Sequence, residues 1–254
     1  MPTDLLFYLI GLPAVFIIAL GKGAFGGGLA IIGIPILALV MDPIDATIVV
    51  ALVACATDIF ALQAFPMRTW SWPDITWLAP GMIVGLAAGA LFFALVDPRI
   101  LVLAIAIVTL IFTARYFLHE RHQPPGVAPV SPAKALVFGA LGGFGTFIAH
   151  SASPPISVYL LPRGLPKTIY VGTMVALLVL SNVVKIFPYG WFGLHRPDAL
   201  WHLLPLLPMV PLGVYSGKIV HDRLDERKLY FWLYLLVGAA GLKLLIDSVL
   251  KFLP

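Results

Sequence analysis

Along the 254 residues, apolar stretches long enough to cross a bilayer alternate with short polar breaks. Leu78–Val96 and Ile100–Phe112 carry no charge, and comparable runs recur along the whole chain. The runs are apolar on every face, without the period-two alternation of a membrane β-barrel, so they predict helices. Eight segments result, at about 4–40, 43–65, 75–96, 99–118, 133–161, 166–187, 199–220 and 227–250. Pro43, Pro66, Pro73, Pro98, Pro166, Pro188 and Pro197 fall at or near segment ends, where proline stops a helix at low cost.

Two segments are too long for one span of roughly 20 residues. The first contains Gly21-Lys-Gly-Ala-Phe-Gly-Gly-Gly28, a glycine-rich and charged break. A poorer copy, Gly142-Gly143-Phe144-Gly145, lies in the fifth, with Gly145 placed 119 positions after Gly26. Irregular backbone is tolerated in a membrane only where protein or a water-filled cavity covers it, and paired breaks in two halves mark transporter binding sites. The halves repeat in order. Pro35 answers to Pro154 at 119, Phe65-Pro66 to Phe187-Pro188 at 122, Asp74 and Trp77 to Asp198 and Trp201 at 124, and Asp97 and Arg99 to Asp225 and Arg227 at 128. The polar stretch from His119 to Pro132 separates them. The chain thus divides into a first repeat (1–118), a linker (119–132) and a second repeat (133–254).

If each long segment enters the membrane and returns to the same face, each repeat adds three full crossings and the repeats are inverted. Loop charges favour this arrangement. It collects Arg68, Arg115, Arg121, Lys134, Arg163, Lys167, Lys218, Arg223, Arg227 and Lys228 on the cytoplasmic side. The outer loops and C-terminus keep mainly Arg99, Arg196 and Lys251. The expected fold is an all-α polytopic membrane protein of two inverted repeats, each a broken re-entrant hairpin followed by three helices.

Composition agrees with the pattern. Hydrophobic residues make up 61% and charged residues 11%, against roughly 25% charged in a soluble domain. The net charge of +4 sits in loops, so it speaks for topology and contact with lipid rather than nucleic acid. Cys55 is the single cysteine, which excludes an intrachain disulfide and a thiol metal cluster. Leu5–Leu20 has the look of a signal-peptide core, but Met1–Asp4 has no positive charge and the segment is read as retained.

The run Ala24-Phe25-Gly26-Gly27-Gly28 followed by Pro35-Ile36-Leu37, with re-entry near Ala46-Thr47, resembles the sulfite exporter TauE/SafE family. Gly143-Phe144-Gly145 with Pro154-Pro155-Ile156 resembles its second copy. The resemblance implies a bacterial inner-membrane carrier for small sulfur-containing anions, with carboxylates as an alternative cargo. Ala24 replaces the first glycine of the family's motif, and Thr146 and Phe147 stand where its second copy continues with glycine.

A small oxyanion in a dry site needs N–H donors, hydroxyls and a cation. From the first break, Gly26, Gly27 and Gly28 are expected to offer backbone amides and Lys22 a charge, with close helix packing and snorkelling as the alternatives. From the second, Gly145, His150, Ser151 and Ser153 are candidates, or simply partners for freed backbone groups. Pro154-Pro155 is expected to interrupt regular helix. Asn182 and Lys185 complete the expected substrate set, and Asp58 with Thr57 is the candidate for a coupling proton or cation. The alternative here is an Asp58–Lys185 pair. The expected partners are a small anionic substrate, membrane lipid, a coupling ion and a second copy of the chain. No cofactor or metal is expected, and no His-Glu-x-x-His or Gly-x-Ser-x-Gly motif suggests an enzyme.

Overall fold

The computed structural model describes residues 5–27, 36–92, 98–120, 128–149, 152–194 and 201–250. All regular structure in these residues is helical. The elements are α1 (Leu5–Phe25), α2 (Pro43–Ala64), α3 (Trp72–Phe92), α4 (Pro98–Arg115, continued by a π turn over Tyr116–Glu120), α5 (Pro132–Ala149), α6 (Ser153–Leu160), α7 (Lys167–Leu194), α8 (Met209–Arg223) and α9 (Glu226–Leu250). Six helical stretches are long and apolar enough to cross a membrane: Leu5–Phe25, Asp45–Ala64, Trp72–Leu91, Lys167–Lys185, Trp201–Arg223 and Glu226–Val249. Their lipid-compatible outer faces carry Leu9, Ile59, Ile83, Val84, Val183, Leu212 and Ile246, all exposed. The protein is a multi-pass membrane protein.

Local chemistry sets several boundaries. Ser71 begins α3: its hydroxyl donates to Asp74 at 2.6 Å while the Asp74 amide donates back to the Ser71 carbonyl at 3.1 Å. Asp225 caps α9 by accepting the Lys228 amide at 2.7 Å. The expected stop at Pro188 is not used, since α7 continues to Leu194. Proline costs one backbone bond inside a helix, and a long apolar helix in lipid has no competing solvent to end it there.

The first long segment also departs from expectation. The residues Gly21–Phe25 remain helical, so α1 is an unbroken 21-residue helix, about 31 Å long at the α-helical rise. It is a full-depth arm rather than a half-helix. The chain then comes back, because Leu37 packs beside Gly11 near the start of α1. In the fifth segment the helix likewise runs straight through Gly142–Gly145 to Ala149. The shorter α6 folds back along α5, with Ile156 against Gly142.

Packing directions are informative. α1 and α8 run parallel: Gly213 meets the backbone of Phe16 and Leu20, Gly217 that of Leu20 and Ala24, and Gly23 that of Val214 and Lys218. α3 and α5 do the same, with Gly81 against Leu136, Gly85 against Ala140, Gly139 against Leu78, and Gly143 against Met82 and Leu86. These glycines serve the close helix approach that small residues allow in membranes. By contrast α2 and α7 run antiparallel, meeting at Thr69–Gly172 and again at Asp58–Asn182. α4 and α9 are antiparallel too, through Phe117–Phe231, Thr113–Gly238 and Thr109–Gly241.

Candidate functional site

The tips of the two arms meet. Gly26 and Gly27 end α1 with φ of 77° and 127°, values that an L side chain adopts only under strain. The Gly26 amide donates to the Lys22 carbonyl at 3.1 Å and the Gly27 amide to the Gly21 carbonyl at 3.2 Å. This corrects the expectation of free amides: the glycines close a helix C-terminus, where the partial charge is negative. Their role is steric. A Cβ on Gly27 would lie 2.7 Å from Leu178 Cδ1 and 3.4 Å from the Ser153 hydroxyl, so only glycine lets the first tip touch the second.

Ser153 opens α6, and Pro154 and Pro155 follow in its first turn. They begin this helix rather than interrupt one, because the amides proline lacks are unneeded at that position. A small cleft lies between the tips and α9, lined by Phe25, Gly27, Ser153, Ser157, Tyr170 and Val237 among others. The Ser157 and Tyr170 hydroxyls share a hydrogen bond of 2.9 Å beside it.

A buried charged cluster sits alongside. The Lys22 ammonium lies 2.6 Å from Asp58 Oδ1, and Asn182 Nδ2 donates to Asp58 Oδ2 at 2.8 Å. The Lys22 approach is off the line of a hydrogen bond, so this contact is one of charge. Lys185 donates to Thr146 Oγ1 at 2.7 Å, its only hydrogen bond among the described residues. Lys22 and Lys185 are each 5% exposed, Asp58 6% and Asn182 7%, so none of the four reaches open solvent. Four elements are needed to assemble them: α1 brings Lys22, α2 Asp58, α5 Thr146, and α7 Asn182 and Lys185. Cys55, one turn before Asp58, places its sulfur 3.9 Å from the Asn182 carbonyl.

The arrangement settles several alternatives. Lys22 is paired inside the protein and does not snorkel. Asp58 takes Lys22 and Asn182, and the expected Asp58–Lys185 pair is not formed. Thr57 is buried beside Asp58 and returns its hydroxyl to the Ala54 carbonyl at 2.6 Å. Gly145 is buried inside the regular helix α5, so its amide belongs to the helical ladder. Gly28, His150 and Ser151 lie outside the described residues.

Sequence reasoning missed three features. Thr146, noted only as a departure from glycine, is the side chain that holds Lys185. Asp74 is fully buried and gathers Arg163 at 2.8 Å, the Tyr159 hydroxyl at 2.9 Å and the Ser71 hydroxyl, tying the return of α6 to the start of α3. The Ser-x-x-Asp spacing was a visible signal for part of this network. His221 is also fully buried, joining the Ala24 carbonyl at 3.1 Å to Thr168 at 3.2 Å, and so caps the end of α1. Nothing in its sequence context announced that.

Among the described residues, no group of three or more histidine, cysteine, aspartate or glutamate side chains is placed to hold a metal ion. The ensemble is a set of ammonium, amide and hydroxyl groups around one carboxylate. A family model described as "Sulfite exporter TauE/SafE" matches residues 11–244, nearly the whole chain. No curated protein and no solved structure matches.

Proposed function

Because the chain belongs to the sulfite exporter TauE/SafE family, we propose that it is a secondary transporter for a small sulfur oxyanion, sulfite or an organosulfonate, in the bacterial inner membrane. The observation that carries this reading is the excess of positive charge in the buried cluster: Lys22 is paired with Asp58, while Lys185 is held by the neutral Thr146 hydroxyl. A buried charge without a counterion is costly, and the anion is the missing partner. Lys185 and Thr146 contact it, with Asn182 and Lys22 alongside. Ser153 and the glycine tip border its route, and His150 and Ser151 stay candidate contacts on the strength of the sequence alone. Asp58 and Thr57 take the coupling proton or cation.

Alternating access between two inverted repeats, 1–118 and 133–254, is the mechanism this reading implies. The packing directions support it. Helices at matching places, α2 with α7 and α4 with α9, lie antiparallel, while each arm packs parallel to a helix of the other repeat. A two-fold axis in the membrane plane generates this pattern. The return of Leu37 to the level of Gly11 supports a re-entrant first arm, and the Asp74–Arg163 contact supports a second.

The test is flux into proteoliposomes of labelled sulfite, methanesulfonate and acetate. We expect saturable movement of the sulfur anions, with acetate measuring the carboxylate alternative. Folded protein that moves none of them would overturn the reading.

A further inference from the structure

Asp58 occupies a position that matters beyond coupling. Both its oxygens face donors, Lys22 on one side and Asn182 on the other, the arrangement of an ionised carboxylate. Lys185, on the helix that also carries Asn182, has no carboxylate against it among the described residues and is held by the neutral hydroxyl of Thr146. Against Asp58 lie Lys22 from α1 and Asn182 from α7, with Lys185 three residues further along α7 and Thr57 next to Asp58 in its own helix.

We propose that Asp58 is a valence selector: it sets the net charge of the Lys22–Asp58–Lys185 cluster at +1 and so fits the site to a monovalent anion. This inference rests on the anion-transport reading and deepens it by naming the charge class of the cargo. A monoanion beside Lys185 brings the cluster to neutrality with the Lys22–Asp58 pair intact. A dianion leaves it one negative charge in excess, in surroundings where water does not screen the imbalance. Of the two ionisation states of sulfite, the pocket takes hydrogensulfite. While ionised, Asp58 thus acts as an internal anion that satisfies one lysine and leaves the other for cargo.

Sulfate and methanesulfonate provide the test, since both are tetrahedral, similar in size and fully ionised at about pH 7.5, where histidine is mostly neutral. The measured quantity is the ratio of methanesulfonate to sulfate flux in proteoliposomes, or of their binding by thermal shift in detergent where flux is too slow. We expect the wild type to favour methanesulfonate. Asp58→Asn, which leaves the cluster at +2, should move the ratio toward sulfate by more than about tenfold. The double variant Lys22→Gln/Asp58→Asn returns the count to +1 and should restore the wild-type preference.

An unchanged ratio in folded Asp58→Asn, or loss of both anions from it, overturns the proposal. So does a double variant that keeps the Asp58→Asn ratio. These failures leave anion transport itself standing. A folded wild type that takes up and binds neither anion nor sulfite instead removes the reading on which the proposal rests.

Discussion

Lys22 and Asp58 are held together by their isolation. Removing one member of a buried ion pair strands the other charge, at a cost of about 3–5 kcal/mol, whereas replacing both with apolar groups of similar volume costs far less. Asp58→Ala is therefore expected to lower thermal stability in detergent sharply. Lys22→Met/Asp58→Leu should recover most of that loss. Thr146→Val separates a different pair of roles. It keeps the volume of the side chain and removes the partner of Lys185, so anion affinity should fall about tenfold or more, and Thr146→Ser should retain it. A calorimetric titration with sulfite reads both variants. At this scale the charged residues were legible, because a lysine or aspartate inside an apolar run is conspicuous. Their pairing was not. Whether Asp58 meets Lys22 or Lys185 depends on helix rotation, and a threonine 39 positions before Lys185 gives no sign of its task. Gly27 is a further lesson: its φ of 127° makes any side chain there strained, so Gly27→Leu should damage stability as well as binding. Ser153→Ala is the cleaner probe of the tip.

Helix packing in this protein rests on glycines that sequence reasoning assigned elsewhere. A Cβ on Gly85 would sit 2.0 Å from the Ala140 carbonyl oxygen, and one on Gly143 would sit 2.1 Å from that of Met82. Rigid backbone cannot yield locally as a side chain tip does, so α3 and α5 must separate. Gly85→Ala is expected to destabilise by about 1–3 kcal/mol, and thermal unfolding in detergent measures it. Gly142–Gly145 reads as a chain break by composition alone, yet it lies inside a helix. In lipid the same residue type serves breaks and close contacts, and only the neighbouring helix distinguishes them. Ends marked by Pro43, Pro66 and Pro98 were legible because proline acts locally, and Pro188 failed because α7 absorbs it. The short α6 depends on the Asp74 network for its anchorage. Asp74→Asn weakens the grip on Arg163, and hydrogen exchange should quicken in α6 while α7 stays protected. Outside the membrane, the Asp225 cap is sensitive to acid. The Lys228 amide and then its side chain hold this carboxyl below the usual range. Its contribution is present above the ordinary carboxyl pKa and is lost as pH falls through the lowered one.

Across the whole molecule, the membrane class was readable from apolar runs, and an ordered series of matching residues is the sequence's own argument for two repeats. Neither required knowledge of side-chain contacts. The depth of α1 was not readable, since Lys22 and the glycines around it imitate a helix end that comes four residues later. Orientation is open to a direct check. Met67 is exposed in the turn beside Arg68, which loop charge places in the cytoplasm. In a Cys55→Ser background, Met67→Cys should react with an impermeant maleimide in inverted vesicles and resist it in intact cells.

The two parallel glycine contacts carry one more consequence. Each arm lies against a helix from the opposite half of the sequence, α1 on α8 and α5 on α3. The chain is therefore interlaced with itself in the manner of a domain-swapped dimer whose subunits have been joined end to end. Neither half can bury its own arm, so a gene cut within the linker should yield two fragments that are unstable alone and assemble when made together. Under the proposed alternating access, the units that move against each other need not coincide with the two halves of the sequence.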